Sequence, residues 1–336
     1  MKPLSIALIG AGYIAKEHAL ALSQIPDVRV TTVYDAAKDR AEELAKTYNA
    51  TTASSLEQAI EKCDMVWLCT PQNLHEQQIL ASLQAGKNVF CEKPLAISVE
   101  SCRRIQKAVA KTGKSVAVGQ SNRYYPAFQK AQEIHASGEL GNFVSVWSQR
   151  IGYYPRKLFP PWRLDPANSG GMTIEVGVHE IDWLNWIGGE IESVFAQWAC
   201  AVINPPKFDD SLSAIVRYKN GGFGRLDLSW ASGVDIPRRG ILGDKSSLMV
   251  EGFLTHIDVC PLDKPAQKIE TLSPTDPKTN QNLGFLWQAQ DIFNHLKRGE
   301  PPPVGVKEGA DAVIVGLAMQ TSARENRVVK LAEFAP

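Results

Sequence analysis

The chain has no excess of either charge. Lys and Arg together number 36, as do Asp and Glu. Nothing in that balance favours nucleic acid or an anionic membrane as a partner. No apolar run approaches the ~20 residues that cross a bilayer. The apolar stretch after Met1-Lys2 is too short for a signal peptide. It runs straight into Gly10-Ala11-Gly12, so it reads as a first β-strand. Cysteines are few: Cys63, Cys69, Cys91, Cys102, Cys200 and Cys260, with no Cys-x-x-Cys pair. Reduced structural thiols in a cytoplasmic protein are therefore expected, and a disulfide framework is not. Internal repeats and low-complexity tracts are also missing.

What remains is the text of a two-domain globular enzyme. The 336 residues allow about two domains of roughly 150 each, and 44% hydrophobic with 21% charged residues is ordinary for such a chain. Residues 1–121 alternate strands and helices. Leu4 to Ile9 and Met65 to Cys69 are continuous apolar runs, as in strands buried on both faces. Helices are predicted over 38–48, 54–62, 74–85 and 98–112, with Gly86 and Gly113 as stops. Repeated βα units predict a doubly wound parallel sheet. Residues 122–336 change character. A helix over 124–137 leads to a loop at 152–168, a helix around 178–187 and a run of strands from 193 to 258, one of them at Arg239 to Leu242. This predicts a large, mostly antiparallel open sheet. Residues 262–280 read as a polar, Pro-rich surface loop. Helices 284–298 and 308–325 close the chain and are expected to be able to pack back on the first domain.

Gly10-Ala11-Gly12-Tyr13-Ile14-Ala15 follows the first strand and opens a helix, which is the setting a dinucleotide fingerprint requires. Gly10 allows the tight turn, Gly12 the approach of a pyrophosphate, and Ala15 close helix–strand packing. Gly10, Gly12, Tyr13 and Ile14 are thus candidate cofactor contacts. Asp35 ends the second strand, 23 residues after Gly12. An acid there accepts hydrogen bonds from ribose hydroxyls and repels a 2′-phosphate, which predicts NAD over NADP. Ala36 and Ala37 place no cation directly beside it, although Lys38 and Arg40 are near.

Several further segments occur in fixed order: Cys69-Thr70-Pro71-Gln72-Asn73-Leu74-His75, Ala85 to Val89, Glu92-Lys93-Pro94, Asn122-Arg123-Tyr124, Gly138 to Gly141, and Gly170-Gly171 through Asp182. Over nearly its whole length the chain resembles the glucose–fructose oxidoreductase / inositol dehydrogenase / rhizopine-catabolism (Gfo/Idh/MocA) family. The resemblance implies a Rossmann domain followed by an open-sheet domain whose face forms homodimers or homotetramers. It implies that Lys93 and His179 are the catalytic lysine and histidine. Thr70, Pro71, Asn73, His75, Glu92 and Lys93 would line the nicotinamide side of the cofactor. The aspartate of the family's D-x-G-x-H motif is here Glu175, one methylene longer.

The chemistry agrees with that assignment. Oxidising a secondary alcohol removes a hydroxyl proton as hydride leaves the same carbon. Histidine is a suitable base near neutral pH, and an ammonium stabilises alkoxide character. His179 is therefore the candidate general acid/base and Lys93 the hydroxyl-polarising cation. Glu175, four residues before His179, would share its face if that segment is helical, and could then hold the imidazole or bind a second sugar hydroxyl. Arg123, Tyr153, Trp162 and Arg163 are candidate substrate contacts, together with Glu175 and His179. His18, His135, His256 and His295 read as packing or surface residues. Glu175, His179 and Asp182 also raise a metal site, but one segment without a distant ligand argues against it. The expected function is an NAD-dependent dehydrogenase of a sugar, sugar derivative or cyclitol. An NAD-retaining glycosidase and a non-catalytic NAD-sensing regulator are the alternatives.

Overall fold

A computed structural model of the chain describes residues 3–154, 159–202, 208–252 and 255–335. The chain divides into two units. One holds Met1–Ser121 with Thr275–Ala310, the other Asn122–Pro274 with Asp311–Pro336.

In the first unit, strands β1 (Leu4–Ile9), β2 (Val28–Tyr34), β3 (Thr51–Thr52), β4 (Met65–Leu68), β5 (Asn88–Cys91) and β6 (Val116–Val118) alternate with helices. The helices are α1 (Tyr13–Ser23), α2 (Lys38–Thr47), α3 (Leu56–Glu61), α4 (His75–Gln84) and α5 (Val99–Thr112). The strands form one parallel sheet ordered β3-β2-β1-β4-β5-β6. The strand order reverses between β1 and β4, and doubly wound sheets bind ligands outside the carboxyl ends of strands at such a point. Local chemistry sets the helix ends. Ser55 and Ser98 accept the N–H groups of Gln58 and Ser101 at two starts, and left-handed Gly113 closes α5. Trp67 and Phe90 stack at 4.0 Å across β4 and β5.

The second unit opens with α6 (Pro126–Ala136) and β7 (Phe143–Tyr153). Three helices follow: α7 (Pro166–Ser169), α8 (Met172–Glu175) and α9 (Gly177–Gly188). Then come β8 (Ile191–Ala199), β9 (Ser211–Tyr218), β10 (Phe223–Ser229), β11 (Ala231–Gly243), β12 (Ser246–Glu251), β13 (His256–Pro261) and β14 (Gln267–Glu270). Helices α10 (Leu283–Arg298) and α11 (Val306–Glu325) and strand β15 (Val329–Lys330) complete the chain. The nine strands are ordered β14-β13-β12-β11-β7-β10-β9-β8-β15. Only β7 and β10 pair in parallel, so the sheet is mostly antiparallel. Strand β9 shows why one face is open: Leu212, Ala214, Val216 and Tyr218 point inward, whereas Ser213, Ile215 and Arg217 face out.

Helix α9 packs on β7 and β10. Tyr218 Oη donates to the Leu184 carbonyl at 2.9 Å. Beside it lies a buried ion cluster. Glu180 accepts from Arg239 Nε at 2.7 Å and Nη2 at 2.5 Å, from Ser148 Oγ at 2.6 Å and from Arg150 Nη1 at 3.3 Å. Burial by itself would raise the Glu180 pKa. The Arg239 and Arg150 charges outweigh it and hold the carboxyl below its ordinary range.

Three expectations need correction. Within 262–280, Gln267–Glu270 is a strand, paired with β13 at the sheet edge. Backbone pairing makes this strand, and its one apolar side chain, Ile269, leaves no alternation to read. The loop expected at 152–168 is partly helical in its described portion: β7 runs to Tyr153, Pro161–Leu164 forms a 3-10 turn, and Asp165 caps α7 by accepting the Ala167 N–H. Residues 155–158 of that loop lie outside the described residues. Strand β11 is also much longer than the Arg239 to Leu242 expected.

Glu180→Gln leaves the Arg239 guanidinium buried without its counter-charge, and stability should fall by about 3 kcal/mol at pH 7. Because the folded carboxyl pKa is depressed, the wild-type advantage is full above the ordinary carboxylate range and is lost as pH falls through it. Urea midpoints of wild type and variant at pH 7 and at a pH below the ordinary carboxylate range check this, the difference shrinking at the lower pH. Equal midpoints at pH 7 would show that the cluster contributes nothing net.

Candidate functional site

The turn between β1 and α1 is shaped by neighbouring backbone. Gly10 has φ +96°, and a Cβ there would lie 2.5 Å from the Cys69 carbonyl oxygen. Gly12 has an extended backbone, and nothing lies within 4 Å of where its Cβ would be. Helix α1 has no side-chain cap and no acid in its first turn. Its N–H groups therefore open onto the space beside Gly12, the arrangement that binds phosphate. Ala15 is buried, Ile14 half-buried and Tyr13 exposed.

Asp35 ties this turn to the end of β2. It accepts the Ala11 N–H at 2.8 Å, the Ala37 N–H at 2.7 Å and Arg40 Nη2 at 2.8 Å. Burial would raise its pKa, but Arg40 and the two amides outweigh burial and hold it below the ordinary range. Asp35 is thus an anion at neutral pH. Of the two nearby cations, Arg40 in the first turn of α2 is the one that reaches the carboxylate. Three of about four lone-pair sites are used, which leaves one for a hydroxyl. Free amides, an open glycine and a poised carboxylate fit a pyrophosphate and a ribose.

Lys93 follows β5 and is half-buried. Its N–H donates to Glu92 Oε2 at 3.0 Å, and Glu92 Oε1 lies 2.7 Å from His18 Nε2. His18, on α1, is fully buried among the rings of Trp67, Phe90 and Phe285. It is therefore not an incidental packing residue. It joins the fingerprint helix to the strand end that carries Lys93. Helical spacing placed it on the core face of α1; its partner 74 residues away had no local signal.

His75 is also fully buried, with Nδ1 2.8 Å from the Pro94 carbonyl and Nε2 2.9 Å from the Thr70 carbonyl. Burial depresses its pKa despite those two carbonyls. A neutral ring has one N–H, so it donates to one of these carbonyls at a time, and the side chain sits wholly inside the turns that carry Thr70 and Pro94. Thr70 Oγ1 donates to Gln78 at 2.5 Å, Pro71 is half-buried and Asn73 is exposed.

In the second unit, Glu175 ends α8 and is buried. Its Oε1 and Oε2 lie 2.9 and 3.0 Å from Arg163 Nη2. The Arg163 guanidinium stacks 4.3 Å over Phe159 and 5.8 Å from Trp230. Val176 (φ −111°, ψ −40°) separates α8 from α9. Glu175 and His179 therefore do not share the face of one continuous helix as expected. His179 is half-buried in the first turn of α9. It lines a small pocket with Asn122, Arg123, Asp182, Trp183 and Trp186. Arg123 donates to both Asp182 oxygens, at 2.8 and 2.7 Å, and lies 5.1 Å over Trp186. Asn122 Nδ2 is buried and finds no partner among the described residues. Trp162 is half-buried and Tyr153 exposed, and neither lines that pocket. The carboxylates once considered for a metal are engaged with arginines. Among the described residues no group of three His, Cys, Asp or Glu is placed to hold one. No described helix is long and apolar enough to cross a membrane.

Comparison with known proteins agrees with this geometry. Residues 4–120 match the model of the "Oxidoreductase family, NAD-binding Rossmann fold", and residues 128–249 match that of the "GFO/IDH/MocA C-terminal domain". Myo-inositol 2-dehydrogenase of Thermotoga maritima is 27% identical over 98% of this chain and 99% of its own. The 2,7-anhydro-N-acetylneuraminate hydratase of Escherichia coli is 26% identical over 74% of this chain and 68% of its own. The crystal structure of a levoglucosan dehydrogenase in complex with NADH and levoglucosan superposes with a TM-score of 0.91 at 20% identity, covering 98% of this chain and all of that one. The two family models occur in order in one chain, on a parallel Rossmann sheet and a mostly antiparallel open sheet, and the chain accordingly belongs to the Gfo/Idh/MocA family of NAD-binding oxidoreductases.

Proposed function

We propose that this protein is an NAD-dependent dehydrogenase acting on a secondary alcohol of a sugar, sugar derivative or cyclitol. The observation that carries the reading is the placement of Lys93. It follows the carboxyl end of β5, in the same parallel sheet whose β1 ends in the open fingerprint turn. The relatives' names support the substrate class. Residues 1–121 would bind the cofactor, and 122–336 would supply the substrate site and the self-association surface. The free thiols of all six cysteines fit a reduced, cytoplasmic setting.

NAD, when bound, supplies the ring that accepts the hydride. Gly10, Gly12, Tyr13 and Ile14 would cradle its pyrophosphate, and Asp35 would take a ribose hydroxyl. The Asp35 anion disfavours a 2′-phosphate, so NAD is preferred, and Arg40 is the group that would accommodate NADP. Thr70, Pro71, Asn73, Glu92 and Lys93 would border the nicotinamide end. His179 takes the hydroxyl proton during oxidation and returns it during reduction. Lys93 stabilises the developing alkoxide. Glu175 is engaged by Arg163, so its role is to anchor the α8 turn and orient a second hydroxyl rather than to accept the proton. Arg123, held by Asp182, would face the same substrate, as would Trp162 and Tyr153 from the preceding segment.

A second reading is favoured by the hydratase among the relatives: the enzyme keeps NAD and uses it transiently, as an NAD-retaining glycosidase would. Sugar turnover without net NADH would identify that case. Lys93 and His179 are both retained, which argues against a purely NAD-sensing regulator.

A panel of sugars and cyclitols, followed by NADH absorbance, is expected to give turnover with NAD and a lower kcat/KM with NADP. Lys93→Ala should lower kcat by about 10²–10³, and His179→Asn by about 10²–10⁴. No turnover on any alcohol or ketone, or unchanged kcat in both variants, would sink the dehydrogenase reading.

Gly12→Ala tests the cofactor turn separately. The extended backbone and empty surroundings at Gly12 accommodate a methyl group, so Tm should stay within a few degrees of wild type. NADH affinity, by fluorescence titration, should fall about tenfold or more, because the pyrophosphate needs that space. Unchanged affinity would place the phosphates elsewhere.

Self-association is expected through the open sheet face, where Phe195, Ile215 and Phe223 are exposed on neighbouring strands. Sedimentation should give a dimer or tetramer, and Ile215→Glu should shift it toward monomer. A monomeric wild type would remove this inference.

A further inference from the structure

We propose that Asp209 is a positioning residue for the Glu175–His179 segment, its carboxylate setting the turn from which α8 and α9 start. The inference rests on the reading of His179 given above. Asp209 lies just before β9 and is only 1% exposed. Its Oδ1 accepts the Met172 N–H at 3.0 Å. Its Oδ2 accepts the Thr173 N–H at 2.9 Å and the Thr173 hydroxyl. Gln320, on α11, donates from Nε2 to the Gly170 carbonyl at 2.8 Å and also hydrogen-bonds the carboxylate. Apart from its own backbone amide, the described donors to Asp209 are the two residues directly after the Gly-Gly turn and a side chain that also holds that turn.

The turn's shape follows from this grip. Gly170 and Gly171 have φ of +78° and +83°, and a Cβ on Gly171 would overlap Asp209 Oδ1. Two glycines are needed because the backbone bends left-handedly while pressed against the carboxylate. Helix α8 then hangs from the gripped amides. The Glu175 N–H donates to the Gly171 carbonyl at 2.8 Å, the Val176 N–H to Met172 at 2.9 Å, and the His179 N–H to Val176 at 3.2 Å. A shift at Met172 and Thr173 is thus passed to Glu175 and His179 through consecutive backbone hydrogen bonds.

The neighbouring acid does a different task. Asp210 accepts the Ala201 and Val202 N–H groups, at 2.8 and 2.6 Å, and so ties down the end of β8. Among the described residues no cation hydrogen-bonds Asp209, and burial lifts its pKa to about 6 despite the donors it has. The sign is unfavourable to folding. A raised carboxyl pKa means that the ionised form costs stability, increasingly as pH rises from the ordinary range to about 6, and fully above it. The positioning role rests on the bonds to Met172 and Thr173, and the raised pKa shows only that the charge is held there against burial.

Asp209→Asn in the full-length protein decides the matter. The variant should melt within a few degrees of wild type at pH 8 and bind NADH within about twofold of it. Amide hydrogen exchange over residues 171–179 should be about tenfold faster. The kcat should fall about tenfold to a hundredfold, with KM for the alcohol changing less. Thr173→Val, which removes one donor, should give the same pattern more weakly. Unchanged exchange over 171–179 in a folded Asp209→Asn, or unchanged kcat, overturns the proposal. It is also overturned if both variants unfold or lose NADH binding, since Asp209 would then be a general structural residue. If wild type turns over no alcohol at all, the dehydrogenase reading falls, and the exchange measurement alone still decides whether Asp209 sets the turn.

Discussion

A turn that leaves one secondary-structure element for another has backbone N–H groups with no ladder partner, and burying them unpaired costs about 1–3 kcal/mol each. In this chain, carboxylates distant in sequence accept them. Asp35 takes the Ala11 amide from 24 residues away, and Asp209 takes the Thr173 amide from 36 away. Glu92 takes the amide of Lys93 beside it. A carboxylate suits this use because it accepts several bonds at once and offers no donor that must itself be matched. Charge-assisted bonds are also the stronger kind. The fingerprint turn and the Gly-Gly turn are therefore fixed from outside their own sequence, whereas the lysine turn is held by its own neighbour, Glu92, which His18 meets from α1.

The three differ in how the charge is compensated. Arg40 accompanies Asp35, and His18 meets Glu92. Asp209 has hydroxyl and amide donors instead. The strongest compensation is elsewhere, at Glu180, where two arginines and a serine converge between α9 and the sheet. That cluster sets the seat of the helix that carries His179, and Arg239 continues it onto the Phe128 ring at 4.8 Å.

Much of this architecture was legible beforehand. The apolar runs of β1 and β4 announced strands buried on both faces, and Ser98 and Gly113 bracketed α5 because capping is local chemistry. The fingerprint was readable for the same reason: its glycines answer to constraints within a few residues. Partners far away in sequence were not readable. His18 looked like any histidine on an apolar helix face, since nothing near it implied Glu92. Asp209 and Asp210 looked like polar residues before a strand. Strand β14 has no alternation, because an edge strand is held by its backbone. Glu175 and His179 were expected on one helix, and the kink at Val176 that separates them is invisible to residue spacing.

The first unit is assembled from two stretches of chain, and Ala289, Ile292 and Phe293 of α10 complete the same core as Leu8, Leu22, Trp67 and Phe90. The nucleotide-binding fold is thus finished by residues encoded more than 150 positions after β6 ends at Val118. A nascent chain that has just passed Ser121 holds every strand of that sheet with part of its apolar surface still uncovered. The stretch Asn122–Pro274 of the second unit is made before α10 follows to cover it. Chain order and the order in which this core can be completed are therefore out of step. The Rossmann sheet is closed by a helix that comes after most of the second unit.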